Sequence, residues 1–248
     1  MSACLRDKVV VITGASSGIG KATAKAFARK GSKLVLAARR LSKLKSLEQE
    51  LGVECASVQT DVSKERDVQR LFRIAERKFG RVDILVNNAG ALLIANVEET
   101  SMEEWNSVIG SNLTGVFLCT REAVRIMKRK KIKGHIINVS SIAGLIAVPR
   151  DSAYCAAKHG VTAFTWCLKL ELKRYGIKAS AIYPGPVDTD LFGSLIRWNK
   201  RWMLSPDDIA DKIVAVASRS ILQSGLVTII NLFKRILKIT GLISVKNR

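Results

Sequence analysis

A chain of 248 residues, 48% of them apolar, is long enough to bury one large core and fits a single α/β domain spanning 1–248. Basic residues outnumber acidic ones 41 to 21, giving a formal net charge of +20; nucleic acid, an anionic membrane surface or a basic host cytoplasm would each suit it, but no nucleic-acid-binding motif appears and nucleic acid is not an expected partner. Five scattered cysteines with no CxxC pair point to reduced thiols in a cytoplasmic setting, two histidines without ligand spacing point away from a metal site, and a first strand this close to Met1 leaves no room for a signal peptide.

In chain order, residues 8–13 form a short β-branched apolar run of the kind that makes a buried parallel strand. It enters the turn Gly14, Ser16, Ser17, Gly18, Ile19 and Gly20, and a helical stretch over 18–30 follows. Strand, glycine-rich turn and helix make a dinucleotide-binding opening, in which the glycines permit close backbone approach and the helix N-terminus faces a pyrophosphate. The second strand, 33–38, ends at Ala38 where an NAD site would carry an acid, and Arg39 and Arg40 come next. Arginine forks suit a phosphate, so the expected cofactor is NADP(H), with Arg39 the main contact to the 2′-phosphate and Arg40 or Ser16 assisting. The plainer reading of both arginines is a solvated opening to the helix 41–51.

Further strands are expected at 53–58, 82–86, 134–139, 177–183 and 226–230, with helices at 63–79, 101–129, 152–175 and 206–219. The order implies a Rossmann-type, doubly wound parallel sheet of about seven strands, covered by helices on both faces. On the helix 152–175, Tyr154 and Lys158 are four positions apart and share one face. An ammonium beside a phenol stabilises the phenolate, drawing its pKa down toward the range of a proton-transfer catalyst. Ser141, brought to the same spot, would hold a carbonyl oxygen while Tyr154 protonates it.

These pieces resemble the short-chain dehydrogenase/reductase family. The matching residues are Thr13-Gly-x-x-x-Gly-x-Gly20, Asp61-Val62, Asn87-Asn-Ala-Gly90, Asn112, Ser141, Tyr154-x-x-x-Lys158, and Pro184-Gly185 with Thr189, all in the family's order and with Tyr154 following Ser141 by 13 positions. The resemblance implies that Tyr154 is the general acid in reduction and the base in oxidation, that Lys158 lowers its pKa and holds the nicotinamide ribose, and that Ser141 polarises the substrate carbonyl. Asn112 would position a water that relays protons past Lys158. Asp61 and Val62 would frame the adenine; Asn88, Ala89 and Gly90 would line the cofactor; Pro184, Gly185, Val187 and Thr189 would touch its carboxamide and diphosphate end. A dimer through the helices 101–129 and 152–175 is implied as well.

Two regions depart from the family. Residues 186–205 would form a substrate lid carrying Trp198 and Trp202 among basic residues, either an interfacial segment or an amphipathic cover over the site. Residues 231–248 read as a basic amphipathic tail, with Leu232, Phe233, Ile236, Leu237 and Ile239 opposite Lys234, Arg235 and Lys238. Such a helix suits contact with an anionic membrane, or docking on the core or on a second subunit. No Asp-Gly-Gly turn closes the chain, which puts the family's tetramer in doubt. With Leu92 beside the site, the expected activity is NADPH-dependent interconversion of a carbonyl and an alcohol on an apolar or lipid-like substrate. The alternatives are a 3-oxoacyl-thioester reductase of fatty-acid metabolism and a non-catalytic dinucleotide-sensing or nucleic-acid-binding protein.

Overall fold

The computed structural model describes residues 5–191 and 203–218. Six strands pair in one wholly parallel sheet: β1 (Val9–Thr13), β2 (Lys33–Ala38), β3 (Cys55–Gln59), β4 (Ile84–Asn87), β5 (His135–Val139) and β6 (Lys178–Ile182). Their spatial order is β3-β2-β1-β4-β5-β6. The chain therefore builds outward from β1 in one direction, then returns to β4 and builds outward in the other. That reversal opens a crevice at the carboxyl ends of β1 and β4. The expected seventh strand at 226–230, the tail 231–248, and Trp198 and Trp202 of the lid lie outside the described residues.

Alternate residues of each strand feed two cores, as a sheet covered on both faces requires. Val10, Ile12, Leu34, Leu36, Ile84 and Val86 pack with α1 (Gly18–Ala28), α2 (Leu41–Leu51) and α7 (Pro206–Ala217). Val9, Val11, Val35, Ala37, Leu85 and Ile136 pack with α3 (Glu65–Phe79), α5 (Gly115–Arg129) and α6 (Ser152–Leu172). The amino ends of β1 and β4 are locked by Asp83, which accepts hydrogen bonds from the Val9 amide (3.0 Å) and from the Arg81 guanidinium (2.6 and 2.9 Å).

The single helix expected over 101–129 is divided. Ser101 caps α4 (Met102–Ile109), its hydroxyl accepting from the Glu104 amide while Glu104 reaches back to the Ser101 amide. A π-helical turn, Gly110–Thr114, follows before α5 begins. The wider turn carries Asn112 to the cleft. Gly115 then lets α5 pass against the loop after β3: a Cβ there would stand 2.7 Å from Val62 Cγ2.

Candidate functional site

A cleft of about 490 Å³ lies along the carboxyl edge of the sheet. Its floor is the turn between β1 and α1. Gly14 and Gly18 have φ of +66° and +51°, and a Cβ on Gly20 would fall 2.2 Å from the Gly14 carbonyl oxygen, so no larger residue fits this turn as built. Ser17 sits at the N-cap of α1 without making a side-chain cap, which leaves the helix's first amides turned to the cleft. Thr13 and Asn88 brace the turn. Thr13 Oγ1 accepts from the amides of Asn88 (3.0 Å) and Ala89 (3.1 Å), and Asn88 Nδ2 donates to the Thr13 carbonyl (3.0 Å).

Both arginines after β2 line the cleft, but their poses differ. Arg40 folds back over the glycine turn, its Nη2 donating to Ser16 Oγ (3.0 Å) and Ser17 Oγ (2.8 Å). Arg39 stands exposed, with its charge acting on Asp61. Burial raises the Asp61 carboxyl, but hydrogen bonds from the Ser63 hydroxyl (2.7 Å) and amide (3.1 Å), with the nearby cations, carry it below its ordinary value. Asp61 and Val62 form the wall beside Arg39. Arg40 is thus the residue already fixed against Ser16, where the sequence ranked Arg39 first.

At the other end stand Ser141, Tyr154, Lys158 and Asn112. Ser141 follows β5 and opens a short 3₁₀ turn, Ile142–Gly144; its Oγ accepts from the Ala143 amide (3.1 Å) and the side chain hydrogen-bonds to Tyr154. The neighbouring Ser140 points elsewhere, its hydroxyl donating to the Lys158 carbonyl. Tyr154 is 8% exposed and packs with Val108, Ala143 and Ala153, against which Leu92, Leu93 and Trp105 lean. That burial pushes its phenol up to about 12, and the Ser141 bond offsets only part of the rise. The sequence led to the opposite expectation, a phenol drawn down by Lys158. The reason for the difference is geometric: Lys158 Nζ donates to the Val139 carbonyl (2.9 Å) and stands 5.4 Å from the Tyr154 ring centroid, while burial of the phenol dominates. Lys158 is itself brought down to about 8 by burial.

Asn112 is fully enclosed. Its Nδ2 donates to the carbonyls of Ala91 (2.7 Å) and Val108 (2.9 Å), which fixes the amide and leaves Oδ1 without a hydrogen-bond partner. A Cβ on Gly90 would meet that oxygen at 2.5 Å and Lys158 Nζ at 3.9 Å, so Gly90 keeps open the space between them. Pro184, Gly185, Val187 and Thr189 close the cleft from above, and Thr189 sits over Gly18. Leu204 bridges to Val187: the Asp188 amide donates to the Leu204 carbonyl (3.0 Å), and the Leu204 amide to that of Pro186 (2.9 Å).

The cleft fits a nicotinamide dinucleotide by its own features: a glycine cradle that a Cβ would fill, free amides at α1, cations beside Ser16, and an orphaned Asn112 oxygen at the far end. The sequence reading missed Asp151, which precedes α6 and acts electrostatically on Tyr154. An acid just before a helix reads as an ordinary cap, so nothing in the pattern distinguishes it. Asn106 and Ser107 at the end of α4 and Ser111 in the π turn also line the cleft; they went unread because the sequence pattern reads as one unbroken helix over 101–129.

A family model described as short chain dehydrogenase matches residues 8–200. An uncharacterized oxidoreductase of Staphylococcus saprophyticus is 41% identical over 190 residues, 75% of this chain and 77% of that protein. Another, of Staphylococcus aureus, is 36% identical over 211 residues, 85% of this chain and 90% of its own. Among solved structures, a 3-ketoacyl-(acyl-carrier-protein) reductase of Brucella melitensis complexed with NADH superposes with a TM-score of 0.84 at 33% identity, covering 90% of this chain and 94% of that one. An alcohol dehydrogenase of Thermococcus sibiricus complexed with 5-hydroxy-NADP superposes with a TM-score of 0.80 at 33% identity, covering 87% and 92%.

Proposed function

The chain belongs to the short-chain dehydrogenase family, and from that membership we propose that it is an NADP(H)-dependent oxidoreductase interconverting a carbonyl and an alcohol on an apolar substrate. The observation that carries the reading is the meeting of Ser141, Tyr154, Lys158 and Asn112 at one end of a glycine-floored cleft whose other end holds Arg39 and Arg40. A nicotinamide dinucleotide in this cleft supplies the hydride. Gly14, Ser16, Ser17, Gly18, Ile19 and Gly20 hold its diphosphate, Asp61 and Val62 flank the adenine, and the two arginines take the 2′-phosphate.

The remaining chemistry is the chain's own. Ser141 Oγ holds the carbonyl oxygen, and the Tyr154 hydroxyl delivers a proton to it. A phenol pushed up to about 12 is fully protonated at neutral pH, the state a general acid for reduction needs. Lys158, moved toward Tyr154 from the Val139 carbonyl, stabilises the phenolate left behind. The unpartnered Asn112 Oδ1 orders a water next to Lys158, through which the proton is replaced. Leu92 and Leu93, which lean on the cluster around Tyr154, would supply apolar lining for substrate.

A panel of aliphatic ketones, aldehydes and alcohols, followed by NADPH absorbance, tests the reading. Apolar carbonyls should be reduced, and Tyr154→Phe should lower kcat by roughly a hundredfold or more while NADPH still binds. Preferential turnover of small polar sugars would count against it. The second reading, a 3-oxoacyl-thioester reductase, is favoured by the likeness to the Brucella reductase and tested with acetoacetyl thioesters. The non-catalytic alternative is weakened by the oxidoreductase relatives and by the assembled Ser141, Tyr154 and Lys158. A homodimer is supported by apolar side chains that α5 and α6 turn outward. Among the described residues no helix is long and apolar enough to cross a membrane.

A further inference from the structure

We propose that the outer face of α3 is an interaction surface for the sugar-phosphate backbone of a nucleic acid, bound without regard to sequence and apart from the dinucleotide cleft. Arg66, Arg70, Arg73 and Arg77 recur on α3 at helical spacing, which puts all four on one helix face over about 16 Å of rise. All four are exposed, and none lines the cleft. Such a row works against its own helix. Like charges at these spacings repel, and Arg66 stands in the first turn, where the helix dipole disfavours a cation. The acids of α3 do not relieve it. Glu65 pairs with Arg121 and Glu76 with Arg129, both on α5. Asp67 takes Arg70 (3.0 Å) and the Asp61 amide (2.9 Å), and Arg70 also donates to the Gln59 carbonyl (2.7 Å). Among the described residues Arg66, Arg73 and Arg77 have no carboxylate partner.

The neighbouring row on α5 makes the contrast. Arg121, Arg125 and Arg129 also recur at helical spacing, and each holds a carboxylate: Glu65, Glu122 and Glu76. Where α3 and α5 meet, the chain matches its arginines with acids; on the far side of α3 it does not. That side is open because α3 packs chiefly on α5 and on β3, the edge strand of the sheet. The partner must bring the negative charge, repeated along a line at the interval of the arginines, about 6 Å for four residues. A nucleic-acid strand repeats its phosphates on that scale, and a guanidinium fork takes a phosphate through two hydrogen bonds. A lipid surface is the poorer fit. Helices that seat in a bilayer interface present aromatic or aliphatic side chains beside their cations, whereas α3 keeps Val68, Leu71 and Phe72 in the core. The sequence holds no nucleic-acid-binding motif to account for a net charge of +20; a row of guanidiniums needs none, since it reads charge and spacing rather than bases.

The test uses the full-length protein and a short fluorescein-labelled RNA of mixed sequence, with the same sequence as single-stranded DNA, followed by anisotropy across a salt series. We expect roughly micromolar binding of both in about 0.1 M salt, with log K falling against log salt at a slope of about −2 to −3, as three or four phosphate contacts on a single strand require. Arg66→Gln, Arg73→Gln and Arg77→Gln together should weaken binding roughly a hundredfold and bring the slope to about −1 or flatter, while the melting temperature holds or rises because the repulsion is gone. Arg66→Lys, Arg73→Lys and Arg77→Lys together should keep most of the affinity, since the charge remains. Lys30→Gln, Lys43→Gln and Lys212→Gln remove the same charge from exposed positions on the opposite face of the sheet and should cost less than about threefold. Saturating NADPH should leave the affinity unchanged. Absence of binding at low salt overturns the proposal, as does binding that the α3 glutamine variant keeps, that the opposite-face variant loses equally, or that NADPH displaces. If the α3 glutamine variant loses phosphatidylserine vesicles but not the oligonucleotides, the surface is a membrane contact and the proposal falls. The reductase reading stands or falls separately, on the ketone panel.

Discussion

Arg39 and Arg40 line one end of the cleft, and each makes a measurable claim. Arg39→Asp should move cofactor preference from NADPH toward NADH by roughly tenfold or more, read as the ratio of kcat/KM values, because it puts a carboxylate where the 2′-phosphate would lie. Since Arg40 is the one held against Ser16 and Ser17, Arg40→Ala should weaken NADPH by a comparable factor; an unchanged preference in both variants would remove the 2′-phosphate assignment. Asp151 claims an effect on stability. Its carboxyl ionises near 3.8 when unfolded and near 6 when folded, so between those values the folded chain binds more protons. Stability therefore falls as pH rises through that window and stays lowered above it. Asp151→Asn should raise the melting temperature of the ligand-free protein at pH near 7, with the gain shrinking toward pH 4.

At the scale of elements, the turn between β1 and α1 has no slack. Gly20→Ala places a methyl 2.2 Å from the Gly14 carbonyl oxygen, so the backbone must shift and NADPH affinity, followed by nucleotide fluorescence, should drop by more than roughly tenfold. The glycine turn was legible because its residues are demanded by backbone geometry, and the strands were legible because a sheet buried on both faces needs unbroken apolar runs such as Val9–Thr13. The π turn at Gly110–Thr114 was not, since one extra residue in a helix leaves the 3.6-residue period almost undisturbed on either side. The Tyr154 pKa was misjudged for a related reason. Spacing on a helix gives which groups are neighbours, but the balance between burial and a neighbouring charge depends on where Lys158 Nζ finds its acceptor, and that is the Val139 carbonyl one strand away.

For the molecule as a whole, the outward faces of α5 and α6 carry Phe117, Trp166 and Leu170, the last two 59% and 80% exposed. Trp166→Glu with Leu170→Glu should convert the particle from the mass of two chains to that of one by light scattering, with the melting transition retained; a monomeric parent would refute the dimer. The basic residues of 231–248 predict binding to anionic liposomes that is lost on their deletion and weakened by salt; equal sedimentation with and without them would dismiss the membrane contact. The two backbone hydrogen bonds joining Leu204 to Pro186 and Asp188 have a consequence for engineering. They act as a clasp across the neck of the chain between them, so the distance that any intervening sequence must close is already fixed. Loop-closure cost grows only slowly with length, so chain inserted between the two sides of the clasp should cost the sheet and the glycine turn little stability, read as a melting temperature that changes little.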